Sequence, residues 1–190
     1  MNRVGLTVLD DGLPPLPAAL DYSMSVPIAF WTASRTAVVL FLSFSLRPDD
    51  GGFSPVARMM GYSRNGGPWI AGRWAAGVGW SYDPVAHPDA ARDLGGRAMV
   101  HGGGSYSEHP APGRPAAIMV GRVGPAVTQL ELVQDGTADR RPLRSHFGAW
   151  VVGVERWSPY EVNALDRDGT VLASVSGPPR LPALPGRARG

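Results

Sequence analysis

Asp166 and Asp168 stand one residue apart, between an apolar run and Gly169-Thr170. Two carboxylates at that spacing can divide acid and base work, or share a cation. As a calcium loop the pair falls short, because that ion takes about six to eight oxygens. The competing reading is a hairpin whose turn is Arg167-Asp168-Gly169. His87, His101, His109 and His146 lie far apart, and none forms the H-x-H or H-x-x-x-H pair that sets two imidazoles on one metal. Ser105 and Ser107 lie near His101 and His109, and Gly102-Gly103-Gly104 follows His101 as an oxyanion loop would. No Gly-x-Ser-x-Gly elbow supplies a nucleophile. Gly121-Arg122-Val123-Gly124 lacks the third glycine and the helix of a dinucleotide loop, and reads as a strand end. We therefore assign no catalytic residue, no cofactor-binding residue and no metal ligand, and expect a chain that is not an enzyme and needs no cofactor.

Composition removes further chemistries. All 18 basic residues are Arg, so Schiff bases, phosphate-loop lysines and lysine general bases are excluded. No cysteine is present, which excludes disulfides, zinc thiolates and cysteine nucleophiles. Net charge is only +2, and the one local concentration, Arg140, Arg141 and Arg144, has Asp135 and Asp139 beside it. Nucleic-acid binding calls for a basic stripe interleaved with aromatics, and none is seen.

The elements that would position any site are strands. Gly (25) and Pro (19) are too abundant for a helical bundle and suit short strands joined by turns. Thr128, Leu130 and Leu132 alternate with Gln129 and Glu131; Tyr160, Val162 and Ala164 with Glu161 and Asn163; and Val171, Ala173 and Val175 continue the pattern. A period of two marks half-buried antiparallel strands. Gly124-Pro125, Asp135-Gly136 and Asp168-Gly169 separate them as turns.

Upstream, the sequence predicts a strand near Val4 to Leu9 and then an extended proline arm, the two spanning residues 1–22. A sandwich domain is expected over 23–175, and a mobile Pro/Arg-rich tail over 176–190. Met24 to Leu46 is long and apolar, but Pro27 and Arg35 interrupt it, so it is read as core, with Thr36 to Leu46 a central strand covered on both sides. Arg64-Asn65-Gly66-Gly67 predicts a hairpin after a strand over Phe53 to Tyr62. A short helix is expected over Asp89 to Leu94, capped by Asp89 and ended by Gly95. Gly102-Gly103-Gly104 is read as a flexible connection. Between Pro68 and Tyr82, Trp69, Trp74, Trp80 and Tyr82 stand among small residues. They read either as rings filling the space that glycines leave in a packed sheet or as an exposed interaction surface for a partner or sugar.

Two resemblances follow from these residues. Leu165-Asp166-Arg167-Asp168-Gly169-Thr170 resembles the first motif of haloacid-dehalogenase-type phosphatases, which implies Asp166 as nucleophile, Asp168 as acid/base and magnesium between them. The family's later lysine has no counterpart here. A broader resemblance runs through Val120 to Val127, Leu130 to Gly136, Phe147-Gly148-Ala149-Trp150 and Tyr160 to Leu172. It is similar to an immunoglobulin-like module of uncharacterised actinobacterial proteins, often found outside the cytoplasm behind a membrane anchor. That implies a β-sandwich whose motifs are structural. The N-terminal residues do not read as a leader or an anchor, so the location is left open, cytoplasmic by default.

The expectation is an all-β, immunoglobulin-like antiparallel sandwich with one short helix and extended Pro-rich termini. Phe147, Trp150 and Val152 should share its core with Leu130, Leu132, Tyr160 and Val162. The expected function is a non-catalytic interaction module that binds a protein partner or assembles with itself, with no transmembrane span. The alternative is a small-molecule or carbohydrate binder, or a hydrolase, with a pocket near Trp69, Trp74 and Trp80.

Overall fold

The computed structural model describes residues 1–107, 110 and 114–177. Among the described residues, eleven strands form three antiparallel sheets, with one α-helix, α1 (Asn2–Asp11), at the N-terminus. The first sheet is a meander of β1 (Val26–Thr32), β2 (Thr36–Leu46), β3 (Phe53–Ser63) and β4 (Ile70–Gly79), hydrogen-bonded in that order. Arg35 lies in the β1–β2 turn, so the long apolar stretch is a hairpin rather than a single element. β2 is the covered strand that its composition predicts. Val38, Leu40 and Leu42 enter the main core, while Ala37, Val39 and Phe41 enter a second cluster on the opposite face.

That second face needs a lid, and α1 provides it. The predicted N-terminal strand is thus corrected to a helix. Gly5 and Val8 are its buried residues, and Leu6, Leu9 and Leu13 pack beside Phe41 and Tyr62. The apolar side chains satisfy a helical stripe as well as an alternating one, and the uncovered sheet decides between them. The arm that follows lies against the body. Leu16, Leu20 and Met24 pack on the main core, and the Pro14 carbonyl is 2.8 Å from His146 Nε2.

The remaining strands are β5 (Met99–Tyr106), β6 (Ala117–Val123), β7 (Gln129–Gln134), β8 (Thr137–Pro142), β9 (Ala149–Val154), β10 (Tyr160–Leu165) and β11 (Val171–Ser176). They form one sheet in the order β5-β6-β9 and another in the order β11-β10-β7-β8. The connections β6–β7, β8–β9 and β9–β10 all cross between sheets, which interlocks them. Every residue of β6 and β9 is buried. Trp150 and Val152 share the core with Leu130, Leu132, Tyr160 and Val162, and Phe147 packs partly buried against it. All of this is an all-β antiparallel sandwich. β9 also lies beside β1 and β2, joining the meander to the interlocked pair.

Two further expectations are corrected. The helix over Asp89 to Leu94 is only a three-residue 3-10 turn, Pro88–Ala90. Asp89 does not cap it; Asp83 instead accepts the amides of Val85 and Ala86 at 2.9 and 3.1 Å. Gly95 and Gly96 follow with φ of 61° and 81°, so the chain turns away before another helical turn can form. The segment is held by side chains: Arg122 Nη2 donates to the Ala91 carbonyl at 2.7 Å, and Arg92 Nη2 to the Gly124 carbonyl at 2.6 Å. The glycine run 102–104 is part of strand β5, paired with β6. A Cβ on Gly104 would stand 2.4 Å from the Ile118 carbonyl oxygen, so glycine is what lets the two strands meet there. Of the tail expected over 176–190, Ser176 belongs to β11 and Gly177 is described; residues 178–190 lie outside the described part.

Candidate functional site

The four aromatics singled out as a surface are dispersed. Trp80 and Tyr82 are buried in the main core, at 6% and 4% exposure. Trp74 packs partly buried on the same core, whereas Trp69 packs on the helix-covered cluster. A Cβ on Gly61 would lie 1.9 Å from the Trp74 ring, so that ring fills space a glycine leaves open. Arg114 lies over the ring of Trp74 at 5.6 Å, and Arg64 over Trp69 at 4.4 Å.

Beside Trp80 there is nonetheless an open groove, lined by Tyr22, Arg47, Phe53, Trp80, Asp83 and His87 among others. The Tyr22 ring stacks on Phe53 at 4.8 Å and meets Phe44 edge-on at 5.0 Å. Its hydroxyl donates to Asp83 Oδ2 at 3.3 Å. Burial raises the Tyr22 hydroxyl above its ordinary range, and the negative Asp83 adds to the shift. Arg47 is paired with Asp50 at 3.0 Å. The groove thus offers stacked rings with a carboxylate, a guanidinium and an imidazole at its edge. Trp69 and Trp74 do not line it.

The other candidates have structural employment. Asp166 Oδ1 accepts the amides of Asp168 and Thr170 at 2.9 and 2.8 Å, and Gly169 has φ 84°. The motif is a β10–β11 hairpin turn, as the competing sequence reading has it. Ser105 Oγ accepts from Arg114 Nη2 at 2.7 Å. Among the described residues no three His, Asp or Glu side chains gather as metal ligands. His109 lies outside the described residues. Arg140 and Arg141 are engaged locally: Arg140 pairs with Glu131 at 2.9 Å, and Arg141 pairs with Asp139 at 2.6 Å while stacking 4.3 Å over Trp31.

Two features escape a reading of sequence. The first is edge strand β11. It is hydrogen-bonded on one side only among the described strands, carries no charge, and exposes Val171 at 50% and Leu172 at 37%. The opposite edge, β8, carries Asp139, Arg140 and Arg141, the kind of charge that discourages pairing. The second is a groove of about 650 Å³ at one end of the same sheet, lined by Val133, Asp135, Trp157, Pro159, Tyr160 and Glu161, with Ser176 and Gly177 at its rim. Gln134 Nε2 donates to the Arg156 carbonyl at 3.0 Å, which holds the loop that displays Trp157, 40% exposed. Trp157 stands alone in a polar loop, so no periodicity announces it.

No family model, no curated protein and no solved structure matches this chain. The described residues define the class by their fold: an antiparallel β-sandwich protein with an N-terminal helix.

Proposed function

We propose that this chain is a non-catalytic interaction module, in which residues 99–176 form an immunoglobulin-like sandwich and β11 is the binding edge. The strand orders β5-β6-β9 and β11-β10-β7-β8, with three connections crossing, support the immunoglobulin-like reading, since such sandwiches interlock their sheets in this way. The observation that carries the function is the uncharged edge of β11 with Val171 and Leu172 exposed. An extended strand of a partner, or of a second copy, adds to such an edge through main-chain hydrogen bonds. Light scattering on size-exclusion chromatography tests self-assembly. The full chain is expected to form a concentration-dependent oligomer that Leu172→Lys reduces to monomer at the same concentration, because charge on an edge opposes pairing. An oligomer that persists in Leu172→Lys would exclude this edge from the assembly.

A second reading rests on the groove beside Trp80, where Arg47, Asp83, His87 and the stacked Tyr22 and Phe53 suit a small polar ligand with a flat face, such as a sugar. Under this reading, a mono- or disaccharide panel shifts the amide resonances of Asp83 and His87 in the full chain, and Tyr22→Ala removes the shifts. Unmoved resonances across the panel at millimolar sugar would reject it.

A further inference from the structure

We infer that the cleft between β1, β8 and β9 is a binding site for a small aromatic carboxylate, a single ring on a short acid arm, with the ring inside and the carboxylate on Arg144. The inference rests on neither the β11 edge nor the groove beside Trp80. Strand β1 and the start of β9 make two sides of the cleft. The end of β8, with Leu143 and Arg144 after it, makes the third. The segment that carries these two residues is fixed at several points. The Leu143 amide donates to the Thr128 carbonyl at 2.8 Å, the His146 amide donates to the Ile28 carbonyl at 2.8 Å, and Ser145 pairs with Ala29. The cleft is therefore formed before any ligand arrives, which spares the cost of ordering it on binding.

Its chemistry divides by depth. Trp31 and Leu130, each 5% exposed, stand at the inner end with the buried Trp150, whereas Leu143 is half-buried and Arg144 exposed at the mouth. No Asp or Glu lines the cleft, but two guanidiniums do. Arg141 is committed to the protein. It lies 4.3 Å over the Trp31 ring, pairs with Asp139 at 2.6 Å and donates to Thr32 Oγ1 at 3.1 Å. Asp139 thus offsets its charge. Arg144 pairs with no carboxylate of the described residues, so the mouth keeps one uncompensated positive charge among them. An apolar interior with a free cation at its mouth complements an amphiphile bearing one negative charge. The planar fork of a guanidinium suits a carboxylate in particular, because the two can share a pair of parallel hydrogen bonds. The tryptophans favour an aromatic guest over an aliphatic one, through offset or edge-on ring contacts. Size selects the rest. The cleft holds about 240 Å³. An apolar cavity of about 150 Å³ admits benzene, so the remainder takes a short acid arm and is too small for a second ring.

Phenylacetate titrated into the isotope-labelled full chain tests this by nuclear magnetic resonance. The amide resonances of Thr32, Leu143, Arg144 and Val151 are expected to shift together and saturate with a Kd of about 1 mM. Acetate, which lacks the ring, is expected to leave them unmoved at the same concentration. Phenylacetamide, which keeps the ring and loses the charge, should bind more weakly than phenylacetate. Arg144→Gln removes an exposed side chain that makes no ion pair with the described residues, so the fold should survive it. It is expected to weaken phenylacetate about fivefold, the upper range for an ion pair near the surface, and to leave phenylacetamide unchanged. No saturable shift up to about 10 mM phenylacetate, ten times the expected constant, overturns the proposal. Equal affinity for phenylacetate in wild type and Arg144→Gln also overturns it, as does acetate binding as well as phenylacetate. Shifts confined to Asp83 and His87 would overturn it by assigning the ring to the groove beside Trp80. Should Arg144→Gln fail to fold, phenylacetate against phenylacetamide on the wild-type chain decides alone.

Discussion

At the scale of single residues, one set of polar groups ties a whole sheet together. Arg140, Glu131, Asn163 and Ser174 lie on four adjacent strands and bond in series. Arg140 donates twice to Glu131 Oε1, Asn163 Nδ2 donates to Glu131 Oε2 at 3.1 Å, and Ser174 Oγ donates to Asn163 Oδ1 at 2.6 Å. The chain of bonds ties β8, β7, β10 and β11 together. The Asn163 amide, and then Arg140, hold the Glu131 carboxyl below the usual range for glutamate. Its folded-state pKa is depressed, so its contribution is complete above the unfolded value and is lost as pH falls through the folded one. Stability should therefore fall with acidification below the ordinary glutamate range. In Glu131→Gln that part of the pH dependence should disappear, along with some stability at neutral pH. Urea midpoints of both proteins across mildly acidic pH check it; parallel curves would mean that Glu131 is not the titrating group.

At the scale of elements, the contact between α1 and the first sheet is the least anticipated. Alternating apolar residues 4, 6 and 8 suggest a strand, yet α1 buries Gly5 and Val8 against the second face of β2 and β3. Local pattern was ambiguous because ten residues can satisfy either period, and the demand of Val39, Phe41 and Tyr62 for cover lies far along the chain. The close approach depends on Gly5, where a Cβ would stand 1.8 Å from the Tyr62 hydroxyl. Alanine is the better helix former by about 0.8–1.0 kcal/mol. Overlap in a packed site costs about 1–3 kcal/mol and should win. Gly5→Ala is thus expected to lower the melting temperature, as thermal unfolding followed by circular dichroism would show. A raised one would mean that the helix end shifts freely on the sheet.

The strands themselves were far more legible. Where a run alternates and ends in a dipeptide such as Asp135-Gly136, both the strand and its turn are fixed locally: the pair has φ of 50° and 73°, as a tight hairpin requires. The motif Asp166 to Thr170 likewise formed the hairpin turn that its glycine announces. The polar segments from Asp83 to Tyr106 depart from the helix and flexible connection that their sequence suggests, because neither propensity nor spacing governs them. Asp83, Arg92 and Arg122 hold the first part through single side-chain bonds, and β5 forms because β6 offers it an edge.

At the scale of the whole molecule, the candidate site divides in the same way. Trp69, Trp74, Trp80 and Tyr82 could be named from composition, but their exposure depends on what covers each face of β4 and the residues on either side of it. The sheet sends Trp69 to one cluster and Trp74, Trp80 and Tyr82 to another. The surfaces left open, the edge of β11 and the groove under Trp157, arise from which strand ends up at an edge and which loops meet at one end of a sheet. By itself the sequence determined strands β2, β3, β7, β10 and β11, the turns that follow β3, β7 and β10, the two-faced burial of β2 and the chemistries excluded by the absence of lysine and cysteine, because these rest on covalent identity and on interactions between near neighbours. Only the tertiary structure decided the helix at the N-terminus, the interlocked sheet order and the exposure of each aromatic, because these depend on contacts between residues far apart in the chain, whose energies no local window contains.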